Sequence, residues 1–369
     1  MTTSTGQDAD NVAEKVGGLA QWLDERLNLQ GALKFAEKKQ VPMHKYSVWY
    51  YMGGIALMLM VIQFASGVLL MVYYIPGLEA AHASILRLNS QVDFGWFFRS
   101  IHSWGANLLI AVLGVHLFSA YFMKAYRKPR EFTWYSGLVL MIIALGFGFT
   151  GYLLPWDDVS FFATKIGLDI ASKMPFVGDQ VAVLLRGGHS IGQATLSRFF
   201  VIHVALLPLL TIGLMGLHLL FVQLHGMSEP AYFQKLEAAK RTYEKFFPNF
   251  LLKDLLVWLL AFNGLAALVT LMPWGLGPEA DPFGAAPLGI KPEWYFLAPF
   301  QFLKIVPAQI GPIEGELMGA LLMILFCSGL VIVPFFDKGD SAEKAKTATY
   351  YGLVLLLAIV VFTVWGALS

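Results

Sequence analysis

The sequence predicts an all-α integral membrane protein of seven transmembrane helices, an N-terminal four-helix bundle followed by a C-terminal three-helix unit. Three observations carry that expectation. Of 369 residues, 57% are apolar and 14% charged, with a mean hydropathy of +0.62; a soluble chain of this length needs more charge to cover its surface. Seven apolar runs reach the ~20 residues that cross a ~30 Å hydrocarbon core. Lys and Arg are segregated by loop, so the net charge of +1 hides a strong asymmetry.

In chain order, residues 1–45 form a polar arm without the charged-then-apolar pattern of a cleavable signal. Leu19, Trp22, Leu23 and Leu27 fall at helical spacing and predict an amphipathic helix on the membrane surface. Spans are expected near 48–75, 101–123, 133–154, 199–222, 252–273, 315–336 and 348–367. The long connection 157–198, with Phe161, Phe162, Ile166, Ile170 and Val181 to Leu185, fits short surface helices. The connection 274–314 is studded with Pro and Gly around a semi-apolar stretch from Trp294 to Ile305, and long irregular connections are more often functional than idle. Residues 226–250 are polar and aromatic (Tyr232, Phe233, Tyr243, Phe246, Phe247) and are expected to link a domain at 46–225 to one at 251–369.

The arm (Lys15, Arg26, Lys34, Lys38, Lys39, Lys45) and the second-to-third, fourth-to-fifth and sixth-to-seventh connections hold 18 of the 26 Lys and Arg residues. They are expected in the cytoplasm, with the C-terminus outside. The only cysteine, Cys327, lies within the sixth span. One thiol cannot form an intrachain disulfide, anchor an iron–sulfur cluster alone or attach a haem through C-x-x-C-H, so any such centre belongs to a partner.

Four histidines fall in two matched pairs: His102 and His116 in the second span, His203 and His218 in the fourth. At ~1.5 Å per residue, offsets of 14 and 15 residues separate the members of each pair by about 21 and 22 Å along the helix. At ~100° per residue the side chains diverge by about 40° and 60°, close enough to share a face. Both spans cross in the same direction, which sets His102 level with His203 near the outside and His116 level with His218 near the inside. Each level offers two imidazoles, the ligand set of a non-covalent bis-histidine haem, and the N-terminal bundle is thereby read as a dihaem unit. Iron with both axial positions filled moves electrons rather than binding oxygen, whereas zinc wants three or four ligands clustered at one depth. For any one of these histidines alone, hydrogen bonding or proton relay is the competing role.

Gly53 and Gly67 in the first span, and Gly137 and Gly151 in the third, are also 14 apart. Glycine lets backbone approach a flat macrocycle; small-residue helix packing is the alternative. Arg99 and Arg198 precede the outer histidines, and Arg130 lies at the inner level. Each is a candidate partner for a haem propionate, with interfacial snorkelling as the alternative for Arg198 and Arg130.

The runs Arg99-Ser-Ile-His102-Ser-Trp104, Thr150-Gly-Tyr152-Leu-Leu-Pro155-Trp156 and Pro292-Glu293-Trp294-Tyr295 resemble the cytochrome b subunit of quinol:cytochrome c (or plastocyanin) oxidoreductases. The resemblance extends from Gln21-Trp-Leu-Asp-Glu-Arg26 to the last span. Its details are closer to the chloroplast and cyanobacterial form, which also places fourteen residues between the ligands at His203 and His218; the two polypeptides of that form are joined here around 226–250. Two positions depart from it. Tyr51 stands where that form carries the cysteine for a covalent third haem, so none is expected. Gln223 replaces the arginine that follows the last ligand by five residues, and His225 is the candidate substitute at the inner quinone pocket.

The resemblance implies an outer quinol-oxidising pocket at Pro292 to Tyr295, with Glu293 accepting a quinol proton and Tyr152 and Tyr295 lining the same space. It implies bifurcated oxidation: one electron to a Rieske [2Fe-2S] protein, the other to the haem between His102 and His203, then to that between His116 and His218 and to quinone at the inner site, with protons released outside. The expected partners are the Rieske protein, a c-type cytochrome, quinone, the lipid bilayer and a second copy of the complex, with no nucleic acid. The expected location is a bacterial cytoplasmic (inner) membrane. Two other readings stay open on the residues alone. A dihaem membrane anchor of a dehydrogenase or hydrogenase would not need the Pro-Glu-Trp-Tyr loop, and a proton-coupled transporter would be colourless.

Overall fold

The computed structural model describes residues 18, 20–28, 30, 31, 38–174 and 176–369. Seven helices are long and apolar enough to cross a membrane: Ser47–Met71, Gly95–Phe122, Glu131–Tyr152, Gln193–His225, Phe246–Leu271, Gly315–Phe336 and Ala342–Leu368. The chain is a multi-pass integral membrane protein. Most spans run past the apolar windows that predict them, because a helix need not stop where the hydrocarbon does. The seventh starts at Ala342, where the Ser341 hydroxyl accepts the Lys344 N–H; its charged first turns read as loop in the sequence. In the arm, residues 20–27 are helical with Trp22 and Leu27 exposed, while Leu19, Lys15 and Lys34 lie outside the described residues.

The first span packs along the second and the third along the fourth, and these two pairs make the bundle. The fifth span lies against the first and second, with Leu265 and Val269 fully buried among Leu59, Ile101 and Leu109. The sixth and seventh close the other side. Trp134 donates to the Leu330 carbonyl at 2.8 Å and Tyr121 to the Ala348 carbonyl at 2.6 Å. Outward-facing residues such as Leu209 and Leu260 stay exposed, as a lipid-facing surface requires.

In the fourth span Leu207 N–H reaches back to the Ile202 carbonyl, one residue further than in an α-helix, and Ile202–Leu206 form a π turn. Pro208 has no N–H to give the Val204 carbonyl, and His203 sits inside this turn. A π turn accommodates one extra residue. The 15-residue offset therefore behaves as 14, and the expected 60° divergence closes to about the 40° of the second span.

Outside the bundle, the expected surface helices form at Asp158–Ser172 and Gly178–Arg186; two more, Ala81–Gln91 and Leu297–Ile305, are unforeseen, the second within the semi-apolar stretch of the connection 274–314. The first of these is capped by Asp157, whose side chain accepts the Ser160 N–H at 2.9 Å. Residues 274–281 are tied down: Ala280 N–H bonds the Trp156 carbonyl at 3.0 Å and Asp158 N–H the Pro278 carbonyl at 3.0 Å. On the opposite face, strand Gln40–Met43 pairs antiparallel with Thr242–Lys245. The segment 226–250 is thus more than a tether, since it holds the arm against the inner ends of the spans.

Asp337 ends the sixth span fully buried, accepting Tyr126 Oη at 2.6 Å and Arg127 Nη2 at 2.7 Å, with Lys124 Nζ at 3.7 Å. Burial alone would raise its pKa; the hydrogen bonds from Tyr126 and Arg127 and the charges of Arg127 and Lys124 outweigh that and hold the carboxyl below its ordinary value. Breaking such a group strands two half-buried cations and the buried Tyr126 hydroxyl, so Asp337→Ala should cost about 3 kcal/mol, read as a lower midpoint in thermal unfolding of the detergent-solubilised protein. A depressed carboxyl contributes fully above its unfolded pKa. The difference between wild type and variant should therefore be full at neutral pH and shrink as pH falls through the depressed value.

Candidate haem and quinol sites

The rings of His102 and His203 lie side by side with centroids 6.2 Å apart and their planes at 70°. The Ser66 hydroxyl lies 2.9 Å from His102 Nδ1 and gives its own proton to the Ile62 carbonyl at 2.7 Å. It can only accept from the imidazole, so Nδ1 carries the proton and the Nε2 lone pair is free. Thr150 does the same for His203, at 3.1 Å from Nδ1 while donating to Gly146 O at 2.8 Å. Ser136 does it for His218, at 2.9 Å while donating to Thr133 O at 3.0 Å. Three imidazoles are thereby held as ready metal ligands. Each hydroxyl immediately precedes one of the spaced glycines (Ser66-Gly67, Ser136-Gly137, Thr150-Gly151), a signal present in the sequence but easily passed over.

The glycines serve the imidazoles first. A Cβ at Gly53 would stand 3.1 Å from the His116 ring, at Gly67 3.3 Å from His102, at Gly137 3.2 Å from His218, and at Gly151 2.5 Å from His203. Helix pairs approach closely here because one partner gives up its side chain so that the other can seat a ring. Among the described residues no three His, Cys, Asp or Glu side chains gather as a metal cluster. Imidazoles seated between close-packed spans of an apolar bundle, three of them with the tautomer fixed, suit a flat iron macrocycle held from both faces.

The three arginines are placed at backbone carbonyls. Buried Arg99 donates to the carbonyls of Trp274 and Gly275 at 2.9 and 2.8 Å. Arg198 donates to Leu184 O, capping the helix Gly178–Arg186. Arg130 binds the carbonyls of His225, Gly226 and Met227, closing the end of the fourth span. In this geometry they anchor loops and helix ends, where free backbone carbonyls need donors.

Beside the outer pair lies a mostly apolar cavity of about 380 Å³, lined by the end of the third span, the helix Asp158–Ser172 and the segment 292–303. Pro292, Glu293, Tyr295 and Tyr152 all line it. Gly148 makes room for the Tyr295 ring, whose hydroxyl would stand 2.7 Å from a Cβ there. Trp294 points elsewhere, its indole donating to Asn107 Oδ1 at 2.7 Å and pinning the loop to the second span. Burial raises the Glu293 carboxyl above its ordinary pKa and the charge of Asp157 adds to the shift. Glu293 is thus suited to taking up and releasing a proton. Gly148 and Gly151 are one turn apart on the third span, about 4.5 Å along its axis, so the cavity and the His203 ring share one stretch of helix.

At the inner end, Lys39 from the arm donates to Gln223 Oε1 at 2.5 Å and to the Gln223 carbonyl at 3.0 Å, bringing a cation to the position where the sequence shows none. His225 Nδ1 is buried without a partner among the described residues. Asp254, unremarked in the sequence, is buried on the fifth span against Gly54, with Oδ1 unpartnered among the described residues. Tyr51 stacks on Phe250 with centroids 4.9 Å apart.

A bundle that seats four imidazoles against glycines between its spans belongs with the membrane-embedded haem proteins. The family model for cytochrome b/b6/petB matches residues 37–226, and that for cytochrome b (C-terminal)/b6/petD matches residues 279–369. The cytochrome bc complex cytochrome b subunit of Chlorobaculum thiosulfatiphilum is 43% identical over 351 residues, 95% of this chain and 81% of that one. Cytochrome b6 of Rippkaea orientalis (strain PCC 8801 / RF-1) is 41% identical over 210 residues, 57% of this chain and 94% of that one. A solved structure described as hyperthermophilic respiratory Complex III shares the fold, with a TM-score of 0.77 at 23% identity over 94% of this chain and 98% of that one. The chain belongs to the cytochrome b family, with the regions matched by its two family models fused in one polypeptide.

The glycine contacts rank the effect of adding a methyl. Gly151→Ala, where a Cβ would overlap His203, should lower the haem absorbance in the reduced-minus-oxidised visible spectrum. Gly67→Ala, with 3.3 Å to His102, should leave it unchanged.

Proposed function

We propose that this chain is the dihaem cytochrome b subunit of a membrane quinol:cytochrome c (or plastocyanin-like) oxidoreductase, oxidising quinol at the outer cavity and reducing quinone at an inner site. The observation that carries the reading is the sharing of one helical turn by the seat of His203 and the acid-bearing apolar cavity. In this reading 1–45 is the cytoplasmic arm, 46–225 the haem-binding domain, 226–250 the connection and 251–369 the C-terminal domain that brings the quinol loop. The site residues expected from sequence keep their roles, with the arginines at 99, 130 and 198 acting first as anchors.

His102 with His203, and His116 with His218, would hold two non-covalent b haems. Bound there, such groups carry single electrons across the insulating layer without an open coordination site. The cavity's apolar walls take the quinol ring out of water, and Glu293 accepts one of its hydroxyl protons. Its raised pKa makes the carboxylate a stronger base than an exposed one, and it returns the proton to the outer phase. Tyr152 and Tyr295 confine the ring against it. The remaining electron from quinol needs an acceptor outside this chain, for which a Rieske [2Fe-2S] protein and then a c-type cytochrome are suited. At the inner end, His225, Lys39 and the buried carboxyl of Asp254 are the polar groups available to a quinone taking up protons. Tyr51, closed against Phe250, offers no thiol for a covalent third haem. A homodimeric complex in a bacterial cytoplasmic membrane, N-terminus inside, completes the reading.

Pyridine haemochrome analysis of the purified complex should give two b haems per chain and none attached covalently; one, or none, would contradict the proposal. Glu293→Gln should lower kcat for quinol oxidation about 100-fold with haem content unchanged. Because the base must be deprotonated, wild-type activity should fall as pH drops through the raised pKa of Glu293. That acid limb should be missing from the residual activity of the variant.

A further inference from the structure

A second cavity of about 380 Å³ adjoins the outer one, sharing Ile166 and Ile170 with it. The rest of its lining is polar: Asp169, Ser172 and Lys173 at the end of the helix Asp158–Ser172, and Glu316 in the first turn of the sixth span. A surface helix and the first turn of a membrane span meet here, so the cavity lies where hydrocarbon gives way to water. Its polar groups are open to a ligand, the side chains of Asp169 and Lys173 being 59% and 41% exposed and Glu316 exposed as well. Asp169 gives one carboxylate oxygen to Arg186 at 2.8 Å and keeps the other. Glu316 has no ion pair among the described residues. The Ser172 hydroxyl already donates to the Asp169 carbonyl at 2.7 Å, so toward the cavity it can only accept. Three acceptors, two of them anionic, thus line one space and match the three N–H donors of a primary ammonium. Lys173 spends one donor on Glu314 at 2.8 Å and keeps two for an anion. A divalent cation fits less well, because a lysine shares the space and no three His, Cys, Asp or Glu side chains gather as a metal cluster among the described residues.

We propose that this cavity seats the head group of a phospholipid bearing a primary amine, of the phosphatidylethanolamine class, with its ammonium at Asp169, Ser172 and Glu316 and its phosphate at Lys173. A head group of both charges meets a lining of both charges. Phosphatidylglycerol brings no cation to the carboxylates, and the trimethylated nitrogen of phosphatidylcholine has no N–H to donate. Charge-assisted hydrogen bonds from the ammonium therefore distinguish the amine lipid from one of equal charge and shape. Ile166 and Ile170 give the apolar end of the head group a wall, and beyond the first turn the sixth span exposes Leu321, Leu322 and Ile324 to the acyl chains. The inference does not depend on the quinol reading, although a lipid held here borders the outer cavity along the two shared isoleucines.

The test is native mass spectrometry of the purified, delipidated protein, titrated with dioleoyl phosphatidylethanolamine, phosphatidylcholine or phosphatidylglycerol, with and without EDTA. Wild type should bind the ethanolamine lipid about fivefold more tightly than the other two. Glu316→Gln, an isosteric change at an exposed position, should cut that preference about threefold. The double variant Asp169→Asn, Glu316→Gln should show no preference. Lys173→Gln should weaken the ethanolamine and choline lipids alike, since the phosphate is common to both. Equal affinities in wild type, or a preference that survives in the double variant, overturns the proposal. A preference that disappears with EDTA assigns the carboxylates to a divalent cation bridging to phosphate, and overturns it as well.

Discussion

An imidazole can be seated between two closely packed membrane helices only where the facing helix surrenders its side chain. That constraint organises this protein. Gly53, Gly67, Gly137 and Gly151 are the positions where a Cβ would meet His116, His102, His218 and His203. They pair the first span with the second and the third with the fourth, and set the depth of both levels. In hydrocarbon nothing else would fix the rings, because lipid competes with any apolar contact. The hydroxyls of Ser66, Thr150 and Ser136 complete the arrangement by holding the proton on Nδ1.

The rest of the chain supports that geometry from outside. Fifth, sixth and seventh spans brace the bundle, and their connecting loop returns over its outer end to place Glu293 beside the third span. Arg99 and Ser100, next to His102 in sequence, hold that loop through the backbone of Trp274 and Gly275. One short run of the second span therefore carries both His102 and the anchor of the loop that bears Glu293. On the other face, the strand pair between the arm and 242–245 and the buried Asp337 group fasten the inner ends.

Much of this is legible in the sequence because membrane burial leaves simple periodic signals. The seven apolar runs give the spans, and the 14-residue repeat gives the glycine and histidine registers. The repeat does not say what a glycine touches; the contact is with an imidazole before any macrocycle. The 15-residue offset cannot reveal its own compensation, since the π turn before Pro208 depends on a missing backbone donor rather than on a pattern. Arg99, Arg130 and Arg198 have a second role that no spacing shows: helix ends and loops have unpaired carbonyls, and each arginine serves those nearby. Lys39 reaches Gln223 from 184 residues away, a contact set by the strand pairing of the arm, which no local spacing encodes.

The central claim is that both levels present two imidazoles, through Nε2, to one iron each. Electron paramagnetic resonance of the oxidised, purified protein tests it most directly. Two low-spin ferric signals per chain, one lost in His116→Ala and the other in His102→Ala, are the expected result; a predominantly high-spin signal in the intact protein would show an iron with an open axial position and contradict the account.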